Sequence, residues 1–140
     1  MTVERIFSIS SDRRGELVAQ LRAALSDVPE IAFAYLYGSV LDSDLVHDVD
    51  VGIQLQSSKS PQAVALEAGL TTRLSAAINI PVDVRILNHA PLPFLFHVLR
   101  GQLLCCRDEA LLQSLLEEVP RRYLDIAPLL RAAAKDAFAA

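Results

Sequence analysis

The chain has 140 residues, of which 52% are hydrophobic and 21% are charged, and this balance predicts one packed domain spanning residues 1–140 rather than a disordered chain. Its formal net charge is −4, so there is no basic excess to neutralise the phosphates of a polynucleotide, and we do not expect a nucleic-acid substrate. A nucleotide is still compatible with this charge, because metal ions bridge carboxylates to phosphates.

Two features predict a cytoplasmic protein that does not enter the membrane. The first 17 residues lack the uninterrupted apolar segment of a signal peptide, and no apolar run is long enough to span a bilayer. The two cysteines, Cys105 and Cys106, are adjacent, so on a strand they would point to opposite faces. We therefore expect two reduced packing residues rather than a disulfide or a metal site.

The first half of the chain predicts one helix and two strands. Helical spacing of apolar residues favours a helix from Asp12 to about residue 26, with Ser11 or Asp12 as its cap. Ile31–Tyr37 is apolar on both faces, which is typical of a central strand with layers on both sides. Asp48–Leu55 alternates, with valine, isoleucine and leucine on one face and Asp48, Asp50, Gly52 and Gln54 on the other.

The second half continues the alternation of helices and strands. Ser60-Pro61 is a typical helix start, and the helix that follows has one apolar stripe. Pro81–Leu87 is a third strand, residues 92–99 form a short helix that stops at Gly101, and residues 102–106 form a short strand. This order predicts an α/β (α+β) sandwich in which helices flank one central sheet.

The tail after Asp108 is predicted to be helical, with Pro120 and Pro128 breaking or kinking it. Its apolar residues have two interpretations, a surface for a partner or packing against the core, and core packing is favoured. These residues are Tyr123, Ile126, Leu129 and Leu130.

Acidic residues on two strands are the unusual feature of the sequence. Residues two apart on a strand lie on the same face, roughly 6.6 Å apart, so Asp48 and Asp50 project together. Asp83 has a similar setting, Val-Asp-Val, on another strand. If the two strands are neighbours, three carboxylates converge, and two of them about 5 Å apart repel by about 3 kcal/mol at an effective dielectric near 20.

Divalent cations would remove that repulsion. Two cations held by carboxylates are the usual device for in-line nucleotidyl transfer, and ligation by oxygen alone favours Mg²⁺. Asp48, Asp50 and Asp83 are therefore predicted to be the metal ligands and the catalytic residues.

Gly38 and Ser39, directly after the apolar strand, are the candidate nucleotide-binding residues. Glycine lets the backbone approach a phosphate closely, and the serine hydroxyl and the following amides can bind phosphate oxygens. We also expect Gly52, on the face of Asp50, to leave space for a ligand.

Each motif alone has an ordinary interpretation: a solvated strand end for Asp48 and Asp50, a turn for Gly38-Ser39, and an exposed strand residue facing Arg85 for Asp83. Their order and spacing favour a site.

These motifs resemble a known family. Tyr37-Gly38-Ser39, Asp48-Val49-Asp50-Val51 and Val82-Asp83-Val84 are similar to the nucleotidyltransferase superfamily of DNA polymerase beta and kanamycin nucleotidyltransferase. The strings at residues 82–88, 99–104 and 121–130 resemble the MntA-like antitoxins of HEPN/MNT toxin–antitoxin pairs. The resemblance covers roughly residues 15–131.

The resemblance implies a polymerase beta-like fold and an enzyme that uses ATP and Mg²⁺. Asp48 and Asp50 would hold both metals, Asp83 would complete one of them, and Gly38 and Ser39 would hold the β- and γ-phosphates. The acceptor would be a tyrosine of a HEPN ribonuclease toxin, which adenylylation silences.

The loop at residues 40–47 departs from the family pattern, because its eight residues are fewer than usual and include no arginine or glycine. An antitoxin that neutralises its toxin by binding alone is therefore a second hypothesis. A small-molecule nucleotidyltransferase is a third, disfavoured because the chain is too short for the second domain of those enzymes.

Four further residues near these motifs could belong to the site. Asp42 and Asp44 are interpreted as solvated loop residues, and His47 as structural or solvated rather than as a substrate contact. Arg85 is open between a phosphate contact and a salt bridge to an aspartate.

Overall fold

A four-stranded mixed sheet forms the centre of the fold in the computed structural model, which describes residues 5–57 and 62–138. The strands are β1 Phe7–Ser8, β2 Ile31–Tyr37, β3 Leu45–Val46, β4 Val49–Leu55, β5 Val82–Ile86 and β6 Gln102–Cys106, and the helices are α1 Ser11–Leu25, α2 Gln62–Ile78, α3 Leu92–Leu99 and α4 Glu109–Phe138. The sheet order is β5-β4-β2-β6, with β4 antiparallel to β2, β6 antiparallel to β2, and β5 parallel to β4. Strands β1 and β3 form a separate antiparallel pair.

Strand β2 is buried along its whole length, as its two apolar faces predict. Ala34 and Leu36 lie in the apolar cluster formed with α1 and α2, whereas Phe33, Tyr35 and Tyr37 lie in the cluster formed with α3 and α4. Helices therefore cover both faces of the sheet, and the predicted α/β class is confirmed.

The helix starts differ in detail from the predictions. The cap of α1 is Ser10, whose hydroxyl oxygen accepts a hydrogen bond from the amide of Arg13 at 3.1 Å, so the assignment of the cap to Ser11 or Asp12 was wrong. The predicted start of α2 at Ser60-Pro61 lies outside the described residues.

Helix α4 runs through both of its prolines without a break, so of the two predicted outcomes, a break or a kink, the break was wrong. Proline removes one backbone hydrogen bond and crowds the preceding turn. Val119 and Ala127, which are 3% and 6% exposed, anchor the helix on either side of Pro120. Tertiary packing thus holds the helix together despite the prolines.

The end of α4 carries exposed leucines. Residues 128–137 are all exposed, and Leu129 and Leu130 are 70% and 44% exposed. The prediction of core packing was wrong for these two leucines. Tyr123 does pack, because its ring stacks on that of Phe96 of α3 at 4.0 Å between centroids.

The cysteines follow the prediction for a strand. Cys105 and Cys106 are both free, Cys105 packs on the side of α1 and α2, and Cys106 packs on the side of α3 and α4. Among the helices in the described part of the chain, none combines the length and the apolar character needed to cross a membrane.

Candidate active site

Asp50 and Asp83 occupy directly paired positions on the two parallel strands. The register aligns Asp50 of β4 with Asp83 of β5, and it also aligns Tyr37 of β2 with Asp50. Paired residues of neighbouring strands project from the same face, so these side chains form one row across the sheet. Asp48 lies one residue before β4 and is exposed.

The aspartates make this end of the sheet strongly negative. Burial, together with the charges of Asp48 and Asp83, raises the pKa of Asp50 from 3.8 to about 6. Arg85 and His97 act against this rise. Burial also raises the pKa of Tyr37, and the charge of Asp50 adds to the effect. The three carboxylates are therefore close enough to interact.

Asp83 is paired with a cation of its own strand. The Nε of Arg85 lies 3.3 Å from Oδ2 of Asp83, in a half-exposed salt bridge. Asp83 accordingly raises the pKa of Arg85. Of the two interpretations of Arg85, the structure shows the salt bridge.

The donor set is suited to Mg²⁺, because it consists of carboxylate oxygens from neighbouring strands whose mutual repulsion a cation would relieve. The present side-chain positions are not those of a finished metal centre. Within residues 5–57 and 62–138, no group of three or more His, Cys, Asp or Glu side chains is positioned to hold a metal ion.

Gly38 brings the backbone directly against Asp50. Its φ of 85° and ψ of −158° lie in a region that is essentially restricted to glycine. A Cβ atom at this position would overlap Oδ2 of Asp50. Ser39 then begins a short 3-10 helix, Ser39–Leu41, with its side chain exposed. The Gly38-Ser39 turn and the carboxylates thus belong to one local structure.

Arg14 of α1 fixes the loop that follows Ser39. Its Nε donates to the carbonyl oxygen of Val40 at 2.8 Å, and its Nη2 donates to that of Ser43 at 3.2 Å. Nη2 also lies 3.7 Å from the carboxylate of Asp44. No local sequence pattern indicates this role, because Arg14 and the loop are far apart along the chain.

A cavity of about 570 Å³ opens beside the turn. It is lined by Tyr37, Gly38, Ser39, Leu41, Asp42, His97, Arg100 and Gly101. The Tyr37 ring meets the His97 ring edge to face at 5.6 Å. The three aspartates do not line the cavity. Asp50 adjoins two of its lining residues, because it pairs with Tyr37 across the sheet and lies against Gly38.

Residues 19–110 match the model of the polymerase beta nucleotidyltransferase family, and this match includes the Gly-Ser turn and all three aspartates. The chain belongs to this family. A search of curated proteins found no match.

Solved structures of toxin–antitoxin complexes share the fold. The MntA–HepT complex matches with 16% identity over 89% of this chain and 99% of that chain, at a TM-score of 0.55. A complex of a tri-AMPylated Shewanella oneidensis HEPN toxin with an MNT antitoxin matches with 17% identity over 87% of this chain and 96% of that chain, at a TM-score of 0.55. A toxin–antitoxin structure with AMP-PNP matches with 17% identity over 84% and 98%, at 0.60. The predicted nucleotidyltransferase fold is confirmed.

Within this nucleotidyltransferase fold, Gly52 has a packing role. A Cβ atom at Gly52 would lie 2.8 Å from Cγ1 of Val98 and 3.1 Å from Leu87. The expectation that Gly52 leaves space for a ligand was therefore wrong, because α3 fills that space. His47 is exposed and its Nδ1 lies 3.3 Å from the carbonyl oxygen of Arg5.

Gly38→Ala should destabilise the protein by about 1–3 kcal/mol, because alanine does not adopt this backbone conformation readily and its Cβ would displace Asp50. Gly69→Ala is the matched control: it lies in α2 with no atom near its added Cβ, and it should stabilise the protein by about 0.5–1 kcal/mol. Urea unfolding measures both. Equal effects of the two substitutions would show that Gly38 is not constrained.

The raised pKa of Asp50 predicts a pH-dependent cost to stability. Because the pKa in the folded state, about 6, lies above the ordinary 3.8, the metal-free protein should lose stability as the pH rises through this interval. Asp50→Asn should therefore raise the melting temperature at pH 7.5 in EDTA and change it little at pH 4. The exposed Asp125→Asn should show no such difference. A variant Asp50→Asn that is less stable than wild type at pH 7.5 would contradict the assignment.

Proposed function

We propose that this nucleotidyltransferase transfers AMP from ATP to a tyrosine of a HEPN ribonuclease toxin and thereby acts as its antitoxin. The observation that carries the proposal is the row of Asp50 and Asp83 on neighbouring strands, with Gly38 packed against Asp50. This combination brings a phosphate-binding turn to a pair of potential metal ligands. The toxin–antitoxin complexes with the same fold, one of them with an AMPylated toxin, support the choice of acceptor.

In the proposed reaction, the tyrosine oxygen forms a bond to the α-phosphorus of ATP. The bond between the α-phosphorus and the oxygen that bridges it to the β-phosphorus breaks, so that pyrophosphate leaves, and the phenol proton is lost to solvent. Asp48, Asp50 and Asp83 would hold Mg²⁺, which stabilises charge on the attacking and leaving oxygens when bound. The Ser39 hydroxyl and the backbone amides of the turn would orient the β- and γ-phosphates. Tyr37, which is 5% exposed and pairs with Asp50 across the sheet, would anchor the start of the turn.

Neutralisation by binding alone is the second candidate, and the state of Asp83 favours it. The salt bridge to Arg85 competes with metal binding at this carboxylate. In addition, Arg14 restrains the loop that would have to adapt to the nucleotide.

Mass spectrometry of the toxin separates the two candidates. After incubation with ATP and Mg²⁺, wild type should add the mass of AMP to the toxin encoded beside it. Asp48→Ala/Asp50→Ala should add nothing, because in-line transfer needs the metal ligands. Asp12→Asn, an exposed aspartate of α1 away from α4, should transfer like wild type. If wild type leaves the toxin unmodified and still neutralises it, the enzyme is excluded and binding alone remains.

Helix α4 offers a surface for the toxin. Val119, Tyr123, Ile126 and Leu130 follow one another at spacings of four, three and four residues, which places them on one side of the helix. The stripe packs on the protein near Val119 and continues outward to Leu130, which is 44% exposed. We propose that the toxin covers this continuation, together with the adjacent Leu129.

Leu129→Lys/Leu130→Lys should weaken toxin binding by at least tenfold, because it places charge in an apolar contact. Leu124→Lys is the control, since Leu124 is also exposed, at 67%, but lies roughly 120–140° around the helix from Leu129 and Leu130. Calorimetric titration of the toxin measures both. A larger loss from Leu124→Lys would place the contact on the other face of α4.

We also propose that the protein acts in the cytoplasm. Its two free thiols and its use of ATP are consistent with that compartment.

A further inference from the structure

The cavity beside Gly38 and Ser39 holds basic side chains that the proposed mechanism does not use. His97 and Arg100 both line it. Their spacing of three residues places them on the same side of α3 and its last turn. The loop at residues 40–47 contains no lysine or arginine, so a cation for a polyphosphate must come from another part of the chain.

We propose that Arg100 is the side chain that binds the β- and γ-phosphates of the nucleotide, with His97 beside it. The proposal rests on the proposed function, since it assumes that a nucleoside triphosphate occupies this site. It assigns the recognition of the polyphosphate to the end of α3, across the cavity from the Gly38-Ser39 turn.

The other arginines near the site are already engaged. Arg85 is paired with Asp83, and Arg14 donates to the carbonyl oxygens of Val40 and Ser43. Arg100 has no carboxylate within salt-bridge distance in the part of the chain that the structure describes, and its side chain is exposed towards the cavity. It is therefore the arginine available to an anionic ligand there.

Aromatic packing holds Arg100 in place. Its guanidinium carbon lies 5.5 Å from the centre of the Phe96 ring, and Phe96 in turn stacks on Tyr123 with an interplanar angle of 9°. An arginine on an aromatic face keeps its N–H groups free to donate at the edge of the guanidinium. The side chain is thus oriented without losing its donors.

The backbone next to Arg100 is fixed relative to the Gly38-Ser39 turn. A Cβ atom at Gly101 would overlap the carbonyl oxygen of Leu36, so the chain at Gly101 packs directly on β2. Leu36 lies on β2, two residues before Gly38, which directly follows that strand. The Gly38-Ser39 turn and the end of α3, which form two walls of the cavity, are therefore held close together through β2. Such a fixed arrangement lowers the entropic cost of binding a polyphosphate.

Asp42 is the other charged residue that lines the cavity. Its carboxylate would repel a polyphosphate, which Arg100 would offset. The two residues therefore predict opposite effects on affinity: removing the charge of Arg100 weakens polyphosphate binding, and removing that of Asp42 strengthens it.

Calorimetric titrations with ATP, AMP and inorganic tripolyphosphate, all with Mg²⁺, test the assignment. Arg100→Gln should weaken the binding of ATP and of tripolyphosphate by tenfold or more, on the order expected for charge-assisted hydrogen bonds, and should leave AMP affinity unchanged. Arg100→Lys should retain part of the affinity, and Asp42→Asn should bind ATP more tightly than wild type. Arg122→Gln, an exposed arginine of α4 paired with Glu118, is the control and should behave like wild type.

The outcomes distinguish this proposal from the proposed function. If wild type binds ATP and Arg100→Gln binds it equally well, or loses AMP and ATP affinity alike, the assignment of Arg100 is overturned and the proposed function stands. If wild type binds neither ATP nor tripolyphosphate, both fail. If Arg100→Gln does not fold, the other two variants decide. The proposal then requires Arg100→Lys to bind ATP more weakly than wild type and Asp42→Asn to bind it more tightly, and it is overturned if either fails to do so.

Discussion

Parallel pairing of β4 with β5 places the Asp50 and Asp83 carboxylates side by side, and their repulsion shapes the rest of the site. Asp50 is half-buried, and burial together with the charges of its neighbours raises its pKa to about 6. A fold optimised for stability alone would avoid this arrangement, because like charges without a counterion oppose folding. The structure offsets part of the repulsion through Arg85 and His97. The remaining negative charge is what the proposed Mg²⁺ would neutralise.

The backbone conformation at Gly38 depends on the position of the Asp50 carboxylate. Asp50 occupies the space that a side chain at residue 38 would need, so only glycine permits the turn to lie against the carboxylate. The turn then continues into the short helix at Ser39–Leu41, and Arg14 holds the following loop. Two distant segments of the sequence are thereby built around one carboxylate. The strain at Gly38 is of the kind that accumulates at functional sites.

Much of the fold could be predicted from periodicity, because buried strands and amphipathic helices impose distinct patterns of apolar residues. The apolar character of β2 on both faces and the alternation in β4 and β5 correctly indicated their environments. The adjacency of β4 and β5 could not be read from local pattern, since it depends on long-range pairing. That α4 continues through its prolines could not be predicted for a similar reason: packing at Val119 and Ala127 supports the helix, and local propensity does not show it.

Site residues that belong to a sequence motif could be predicted, whereas residues that reach the site only through tertiary packing were missed. Gly38, Ser39 and the three aspartates stood out by order and spacing, whereas Arg14 and Arg100 reach the site only through the folded chain. Gly52 was wrongly predicted to belong to the site. Its position on the same face of the strand as Asp50 suggested space for a ligand, but α3 fills that space.

The central claim is that Asp48, Asp50 and Asp83 bind a nucleotide through Mg²⁺. Calorimetric titration with the non-hydrolysable analogue AMP-PNP, with Mg²⁺ and with EDTA, tests it most directly. The affinity of wild type should rise strongly with Mg²⁺, and that of Asp50→Asn should not, because carboxylates repel a bare triphosphate and a cation joins the two. Equal affinity of wild type for AMP-PNP with and without Mg²⁺ would contradict the claim.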